Sequence, residues 1–494
     1  MRLVIVSNRL PIVLEQRDGV CTTRSGAGGV VTALAPVLQR AGGMWIGWPG
    51  SGCTDEAELD RALAEHSRSV SYELKPVPMS QADVEGFYQG FCNEIIWPLF
   101  HDLQTRCNFV PEYWTHYLAV KQKFAEIVQR HVQPGDFIWV HDYHLLGLGR
   151  RLREHGVTNR IGFFLHIPFP PPDIFCKLPW RMEVLEGLLY NDIVGFQTPR
   201  DLENFLDCIR KLLPDVRRRQ RRGVYRCVSA GGRTTSFGDF PIGIDASNFA
   251  NAAARDEIAE RVERLRRDVP DQQLVLGIDR LDYTKGIPDR LRAFHLALKR
   301  YPELHRKVAL FQVVVPSRES VPEYQELKGR IERLVAQING EFTQPGWVPI
   351  HYLFRSLDWN ELLTFYRAAD VALVTPLKDG MNLVAKEYCA CQVEGDGVLI
   401  LSEFAGAAVQ LKNDAILVNP YDLDGVAAAI YRGVQLTRHE RRPAMRRLRN
   451  LIARQDVFWW VNEFLSACGV AGGGCPDPPT PAPMRAIEPT GAPA

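Results

Sequence analysis

Hydrophobic residues fall in short, nearly continuous runs at residues 3–6, 137–140, 161–165, 193–196, 274–278, 308–314, 371–374, 398–401 and 415–418, each bounded by turn-forming residues. Continuous rather than alternating hydrophobicity predicts strands buried on both faces, as in a parallel sheet covered by helices. Between the runs the spacing turns helical: Ile287, Leu291, Phe294 and Leu298 recur at i, i+4, i+7 and i+11. Strand and helix alternating along most of the chain predict an α/β fold. The 494 residues exceed the roughly 250–300 at which one core stops growing, so two doubly wound, Rossmann-like sheets are expected. The change of sheet is expected near residues 242–250, where Pro241-Ile242-Gly243-Ile244-Asp245 precedes a polar helix. That divides the chain into domains 1–245 and 246–450. Residues 451–468, with Phe458, Trp459 and Trp460, predict an apolar helix that packs back on the first domain. Residues 469–494, rich in Gly, Pro and Ala, are expected to be disordered.

Composition narrows the class. Hydrophobic residues make up 46% and charged residues 24%, as in an ordinary globular protein and unlike collagen or a disulfide scaffold. With 59 Lys and Arg against 58 Asp and Glu, no net field recruits nucleic acid or a membrane surface. No apolar stretch approaches the ~20 residues of a membrane span, and the opening strand is too short for a signal peptide. Eleven scattered cysteines, with only Cys389-Ala390-Cys391 close together, predict reduced thiols in a cytoplasmic protein. His141 and His144 lack an acidic or cysteine partner at ligand spacing, so no metal is expected. Arg217, Arg218, Arg219, Arg221, Arg222 and Arg226 crowd one segment; without interleaved aromatics it reads as a solvated loop.

Candidate chemistry gathers after the strands. The segment VALVTPLKDGMNLVAKEY at 371–388 runs from a buried strand through Lys378, Asp379, Gly380, Met381 and Asn382 into a helix starting near Leu383. The helix start, with Leu383 and Val384, offers unpaired N–H groups and a positive dipole end to a phosphate. Asp379 is placed to grip sugar hydroxyls and Glu387 to reach a ribose; the alternative is an ordinary strand-to-helix turn with a solvated Asp. After the strand at 274–278, Arg280 and Lys285 are two cations suited to a diphosphate leaving group. The alternative is an exposed pair bridged to Asp279 and Asp282. Arg9 and the glycine cluster around Gly29 form a phosphate or sugar cradle, or a plain turn. Asp142 and His166 end buried strands and serve either hydroxyl recognition or structure. Trp48, Tyr88 and Trp97 are either core or sugar-stacking residues, and Arg318 holds an anion or solvates a rim.

The motifs SNR at 7–9, WIGW at 45–48, VHDYHLL at 140–146, FFLHIPFP at 163–170, GFQT at 195–198, LDYTKG at 281–286 and LKDGMNLVAKEY at 377–388 together resemble the trehalose-6-phosphate synthases. The resemblance runs from residue 2 to about 466 and implies a GT-B fold, two Rossmann-like domains facing across a cleft. It implies a retaining, metal-independent glucosyltransferase without a cofactor, moving glucose from a nucleotide sugar, UDP-glucose foremost, to glucose 6-phosphate. Arg9, Tyr88, Trp97 and Arg318 would form the glucose 6-phosphate pocket, with Trp48 at its border. Gly29, Arg280, Lys285, Leu383 and Val384 would hold the donor's phosphates. Asp379, Gly380, Met381 and Asn382 would line the transferred glucose, Glu387 the ribose; His166 would touch the glucose, and Asp142 both sugars. Asp142, His166, Arg280, Lys285 and Asp379 are the catalytic candidates.

The departures are small: Thr284 where Ser is expected, Lys378 where Arg is frequent, and Gly26-Ala27 ahead of the usual glycine pair. The resemblance also implies a homo-oligomer, dimer or tetramer, and a separate phosphatase that releases trehalose. Glucosylglycerol-phosphate synthesis, pseudo-glycosyl transfer and glucose 6-phosphate sensing stay open as alternatives. The donor's base stays open as well.

Overall fold

The structure, a computed structural model, describes residues 1–17, 20–26, 28–50, 56–221, 224–228, 232–318 and 321–469. The expected disorder of 469–494 therefore lies almost wholly outside the described residues. Two compact units form. Of the described residues, the first holds Met1–Ile242 and those from Val457 to Gly469, and the second holds Gly243–Asp456.

The first unit is built on β1 (Leu3–Arg9), β4 (Gly43–Trp48), β5 (Tyr72–Pro76), β6 (Phe137–His141), β7 (Arg160–Phe164), β8 (Ile193–Phe196) and β11 (Thr234–Asp239), with β9 (Arg217–Arg221) and β10 (Val224–Val228) at one edge. Their order is β5-β4-β1-β6-β7-β8-β11-β10-β9, parallel from β5 to β11 and antiparallel at β10 and β9. β2 (Ile12–Arg17) and β3 (Val20–Ser25) form a separate hairpin. β1 is buried from Leu3 through Asn8, which is why its sequence does not alternate. The run of arginines departs from expectation. Arg217, Arg218, Arg219 and Arg221 lie on β9, paired in register with β10 from Arg221↔Val224 to Arg217↔Val228, and Arg226 lies on β10, while Arg222 is outside the described residues. β9 is the edge strand of this sheet.

The last helix, Val457–Ala467, belongs to the first unit. The Trp460 indole lies 4.9 Å and the Phe464 ring 4.5 Å from Trp139 on β6, and Trp460 Nε1 donates to Phe240 O at 3.0 Å. Gly162 and Gly195 make room for it: a Cβ on either would stand 2.8 Å from Phe464.

The second unit carries β12 (Gln273–Arg280), β13 (Val308–Val315), β14 (Ile350–Phe354), β15 (Val371–Val374), β16 (Val398–Ser402) and β17 (Ile416–Val418). All are parallel, in the order β14-β13-β12-β15-β16-β17, the 3-2-1-4-5-6 order of dinucleotide-binding sheets. Ile287, Leu291, Phe294 and Leu298 of the helix Ile287–Arg300 are fully buried against it. Among the described residues no helix is long and apolar enough to cross a membrane. Among the described residues eight cysteines are thiols, but Cys21 on β3 is disulfide-bonded. That corrects the expectation of reduced thiols throughout, because a count along the chain carries no distance between sulfurs.

Candidate functional site

β12 and β15 are neighbours although β13 and β14 lie between them in sequence. Their carboxyl ends therefore flank the point where strand order reverses, the place at which open α/β sheets take ligands. Leu377 N donates to Thr284 O at 2.8 Å and ties the two strand-end turns together. Across this junction Lys285 Nζ meets Asp379 Oδ2 at 2.5 Å, with side chains only 13% and 11% exposed. Asp379 also accepts from Met381 N and from Asn382 Nδ2, both at 3.2 Å. Asn382 sits in the left-handed region at φ 59° and caps the helix Leu383–Cys391 through Ala385 N, at 3.2 Å. The first-turn N–H groups of that helix, at Leu383 and Val384, have no partner within it. Glu387 lies one turn in, and Tyr366 donates to its Oε2 at 2.7 Å. Burial pushes the Glu387 carboxyl up to about 7, with Tyr366 pulling back.

Arg280, at the end of β12, is exposed. Beside it Asp282 is buried: its Oδ1 accepts from Thr284 N at 2.9 Å and Thr284 Oγ1 at 2.8 Å. Its Oδ2 lies 3.7 Å from Arg318 Nη1 and 3.5 Å from the Tyr324 hydroxyl, to which Arg318 donates. Burial would raise the Asp282 carboxyl, but Arg318, Lys285, the Thr284 N–H and Arg280 outweigh it and hold it below its ordinary range. Arg318 is itself left-handed, at φ 51°. Asp279 faces the other way and pairs at 2.5 Å with the fully buried Arg290, whose Nε donates to Thr375 Oγ1 at 3.0 Å. The alternative of Arg280 and Lys285 bridged to Asp279 and Asp282 thus fails at Lys285, whose ion pair is with Asp379.

In the first unit the equivalent reversal lies between β1 and β6. Arg9, closing β1, holds its guanidinium 4.1 Å over the Trp48 ring and 5.5 Å from the Tyr88 ring. Tyr88 stacks on His144 with ring centroids 5.9 Å apart, and His144 packs on Tyr143 at 3.9 Å. Trp97 joins through Tyr143, at 5.6 Å. Asn93 braces the group, donating to Tyr88 O at 2.6 Å and accepting from the Tyr143 hydroxyl at 3.2 Å. Asp142 is left-handed at φ 74°, and its Oδ1 accepts from the His166 backbone N–H at 3.2 Å. The His166 ring is 3.0 Å from His141, Nε2 to Nδ1, and both residues are buried. Burial pushes His166 down to about 3 and His141 well below its ordinary range.

Of the residues singled out in the sequence, Arg9, Trp48, Tyr88, Trp97, Asp142 and His166 thus gather in the first unit. Lys285, Asp379, Gly380, Met381, Asn382, Leu383, Val384 and Glu387 gather in the second, with Arg280 and Arg318 beside Asp282. Gly29 opens the helix Gly29–Ala41. Asn93, His141, Tyr324 and Tyr366 escaped sequence reasoning as site residues. His141 did carry a signal, standing next to Asp142 at a strand end, whereas Tyr324 and Tyr366 lie mid-pattern on amphipathic helices.

The chain matches the model of glycosyltransferase family 20 over residues 1–469. It is 43% identical over 470 residues to a trehalose-6-phosphate synthase of Mycobacterium bovis, covering 94% of each chain. Among solved structures it is similar to a UDP-forming α,α-trehalose-phosphate synthase of Burkholderia xenovorans in complex with glucose 6-phosphate. The TM-score is 0.85 and the identity 33%, over 95% of this chain and 100% of that one. A protein of E. coli bound with UDP-2-fluoro glucose matches at TM-score 0.82 and 36% identity, over 95% and 99%.

Proposed function

We infer, from a chain that belongs to glycosyltransferase family 20, that the protein makes trehalose 6-phosphate by moving glucose from UDP-glucose to glucose 6-phosphate. The observation that carries this is the Lys285–Asp379 pair at the strand-order reversal of the second sheet. It sets a cation for a departing diphosphate beside a carboxylate for the sugar that leaves it, next to the open helix end at Leu383 and Val384. Arg280 and Lys285 neutralise the diphosphate, Gly29 lies beside its phosphates, Asp379, Gly380, Met381 and Asn382 line the glucose, and Glu387 takes the ribose. Arg9 and Arg318 take the acceptor phosphate, Tyr88, Trp97 and Trp48 its sugar, and Asp142 a hydroxyl of each sugar.

Transfer proceeds with retention. Asp142 already has one oxygen committed to the His166 N–H, which suits a binding carboxylate better than a nucleophile. The acceptor hydroxyl attacks from the face the diphosphate leaves, through an oxocarbenium-like state. A diphosphate oxygen takes the proton while the cations and the helix dipole stabilise the departing charge. No metal enters this scheme. The protein works in the cytoplasm as a homo-oligomer, and a separate phosphatase consumes its product.

The test is an assay in excess chelator with glucose 6-phosphate and each of UDP-, ADP- and GDP-glucose, following nucleotide release and the anomeric signals of the product. A phosphorylated α,α-disaccharide made fastest from UDP-glucose is expected. Donor hydrolysis alone, or an inverted linkage, overturns the scheme.

A further inference from the structure

We propose that Arg290 is a positioning residue for the donor: it bridges β12 and β15 where their backbone pairing has ended, and so fixes the two turns that carry Lys285 and Asp379. The inference rests on the proposed function, in which those two side chains meet the donor's diphosphate and glucose.

β12 and β13 stay paired along the whole strand, from Gln273↔Val308 to Arg280↔Val315. β12 and β15 do not: their register is Val275↔Val371 and Leu276↔Ala372, and the ladder stops there. Continued toward the carboxyl ends, that register sets Asp279 opposite Thr375. These are the two residues that Arg290 joins, its Nη1 donating to Asp279 Oδ2 at 2.5 Å and its Nε to Thr375 Oγ1 at 3.0 Å. A rigid, planar guanidinium with its donors in a fixed fork thus stands in for the missing rungs. Its Nη1 also reaches Gln312 Oε1 on β13, at 3.3 Å, so three adjacent strands are tied at one level. Gly277 leaves the space, since a Cβ there would stand 2.8 Å from Arg290 Nη1 and 2.7 Å from Gln312 Oε1.

Place in the chain connects this clamp to the site. Asp279 directly precedes Arg280 and the turn to Lys285, and Thr375 opens the turn to Asp379. The two turns meet again at Leu377 N, which donates to Thr284 O at 2.8 Å, and then in the Lys285–Asp379 pair. A change in the gap between the strand ends therefore moves the carboxylate for the sugar relative to the cation for the diphosphate.

Stability alone does not account for such a residue. Arg290 is only 2% exposed, and its Nη2 is buried without a hydrogen-bonding partner among the described residues. Burial pushes the Asp279 carboxyl up, with Arg290 and Lys285 pulling back. Well-packed apolar side chains in the place of a buried ion pair are often as stable or more so. What they lack is the directed bonds that set one strand end against the next.

The test compares the full chain with a double variant, Arg290→Met with Asp279→Leu, and with Thr375→Val and Thr375→Ser. Thermal melts report folding, steady-state kinetics give kcat and KM for each substrate, and calorimetry gives the Kd of UDP. The double variant should fold with a Tm near that of wild type. It should nevertheless lose kcat/KM for UDP-glucose on the order of 10²-fold and bind UDP about 10-fold more weakly, as when reacting groups are misplaced by about 1 Å. Its KM for glucose 6-phosphate should be little changed. Thr375→Val should lose in kcat/KM for UDP-glucose, and Thr375→Ser, which keeps the hydroxyl, should recover it. A folded double variant with either kcat/KM for UDP-glucose or UDP affinity within a few-fold of wild type overturns the proposal. So does a Thr375→Val indistinguishable from Thr375→Ser, or a loss that raises the KM of both substrates alike. Should the double variant fail to fold, the Thr375 pair still decides. Failure of the synthase reading looks different: wild type makes no disaccharide phosphate, while UDP affinity still reports on the clamp. A wild type that does not bind UDP overturns both.

Discussion

Glu387 lies buried with the Tyr366 hydroxyl on its Oε2, and it gives up its proton near 7 instead of the ~4.3 of an exposed glutamate. A ribose donates hydroxyl hydrogens, so the ionised carboxylate binds it better. The KM for UDP-glucose should fall severalfold between pH 6 and pH 8, and Glu387→Gln should flatten that profile. The same proton acts on stability in the opposite sense. Its folded affinity exceeds its unfolded affinity, so its contribution is full below about pH 4 and shrinks as pH rises through 7. Urea unfolding of wild type and Glu387→Gln across this range should show stability falling more steeply with pH in wild type than in the variant. Arg280→Ala should lower kcat on the order of 10²–10³, the loss typical when one preorganised stabiliser of developing charge is removed; a rate within a few-fold of wild type would sink its assignment. Asp379, Asn382 and Glu387 were legible because a strand, a turn and a helix start follow one another within eighteen residues. Tyr366 was not, since one polar atom on a helix otherwise packed in the core leaves no periodic trace.

The turn into the helix Leu383–Cys391 depends on Asn382, which serves as left-handed residue, helix cap and partner of Asp379 at once. Asn382→Ala should cost about 1 kcal/mol for the cap and a further ~1–2 kcal/mol for the backbone. Asn382→Gly should recover the backbone share yet leave the donor KM raised, because the bond to Asp379 is still missing. Denaturant titration and donor kinetics on the two variants separate these parts. Other elements were hidden in the sequence for physical reasons. Val84–Ile96 is a π-helix, a rare form whose wider turn follows no 3.6-residue pattern. Gly86 and Gly90 let it approach its neighbour so closely that a Cβ would stand 2.4 Å from His116 or 2.6 Å from Tyr113. The arginine run looked like a loop because charge patterning speaks of solvation, whereas β9 is set by its ladder to β10.

Across the whole molecule the apolar runs located the strands, and nothing local told which strands pair. That β12 lies beside β15 is decided by right-handed crossovers and burial on both faces, not by residues near either strand. The unit boundary falls at Ile242 and the return at Val457, inside the stretch around Pro241 and just past the expected 450. Ending the chain after Asp456 should leave a protein that aggregates, since Trp460 and Phe464 would no longer cover Trp139, Gly162 and Gly195. Ending it after Gly469 should leave kcat and Tm unchanged, as the family match stops there. Light scattering and thermal melts distinguish the two.

The late arrival of that helix also sets an order of events at the ribosome. The first unit emerges early but lacks its final piece until the entire second unit has been made. At ~5–20 residues per second the wait is on the order of 10–40 s. During that interval the aromatic face around Trp139 stays open to chaperones and to neighbouring nascent chains. The half of the protein translated first is therefore the half that matures last.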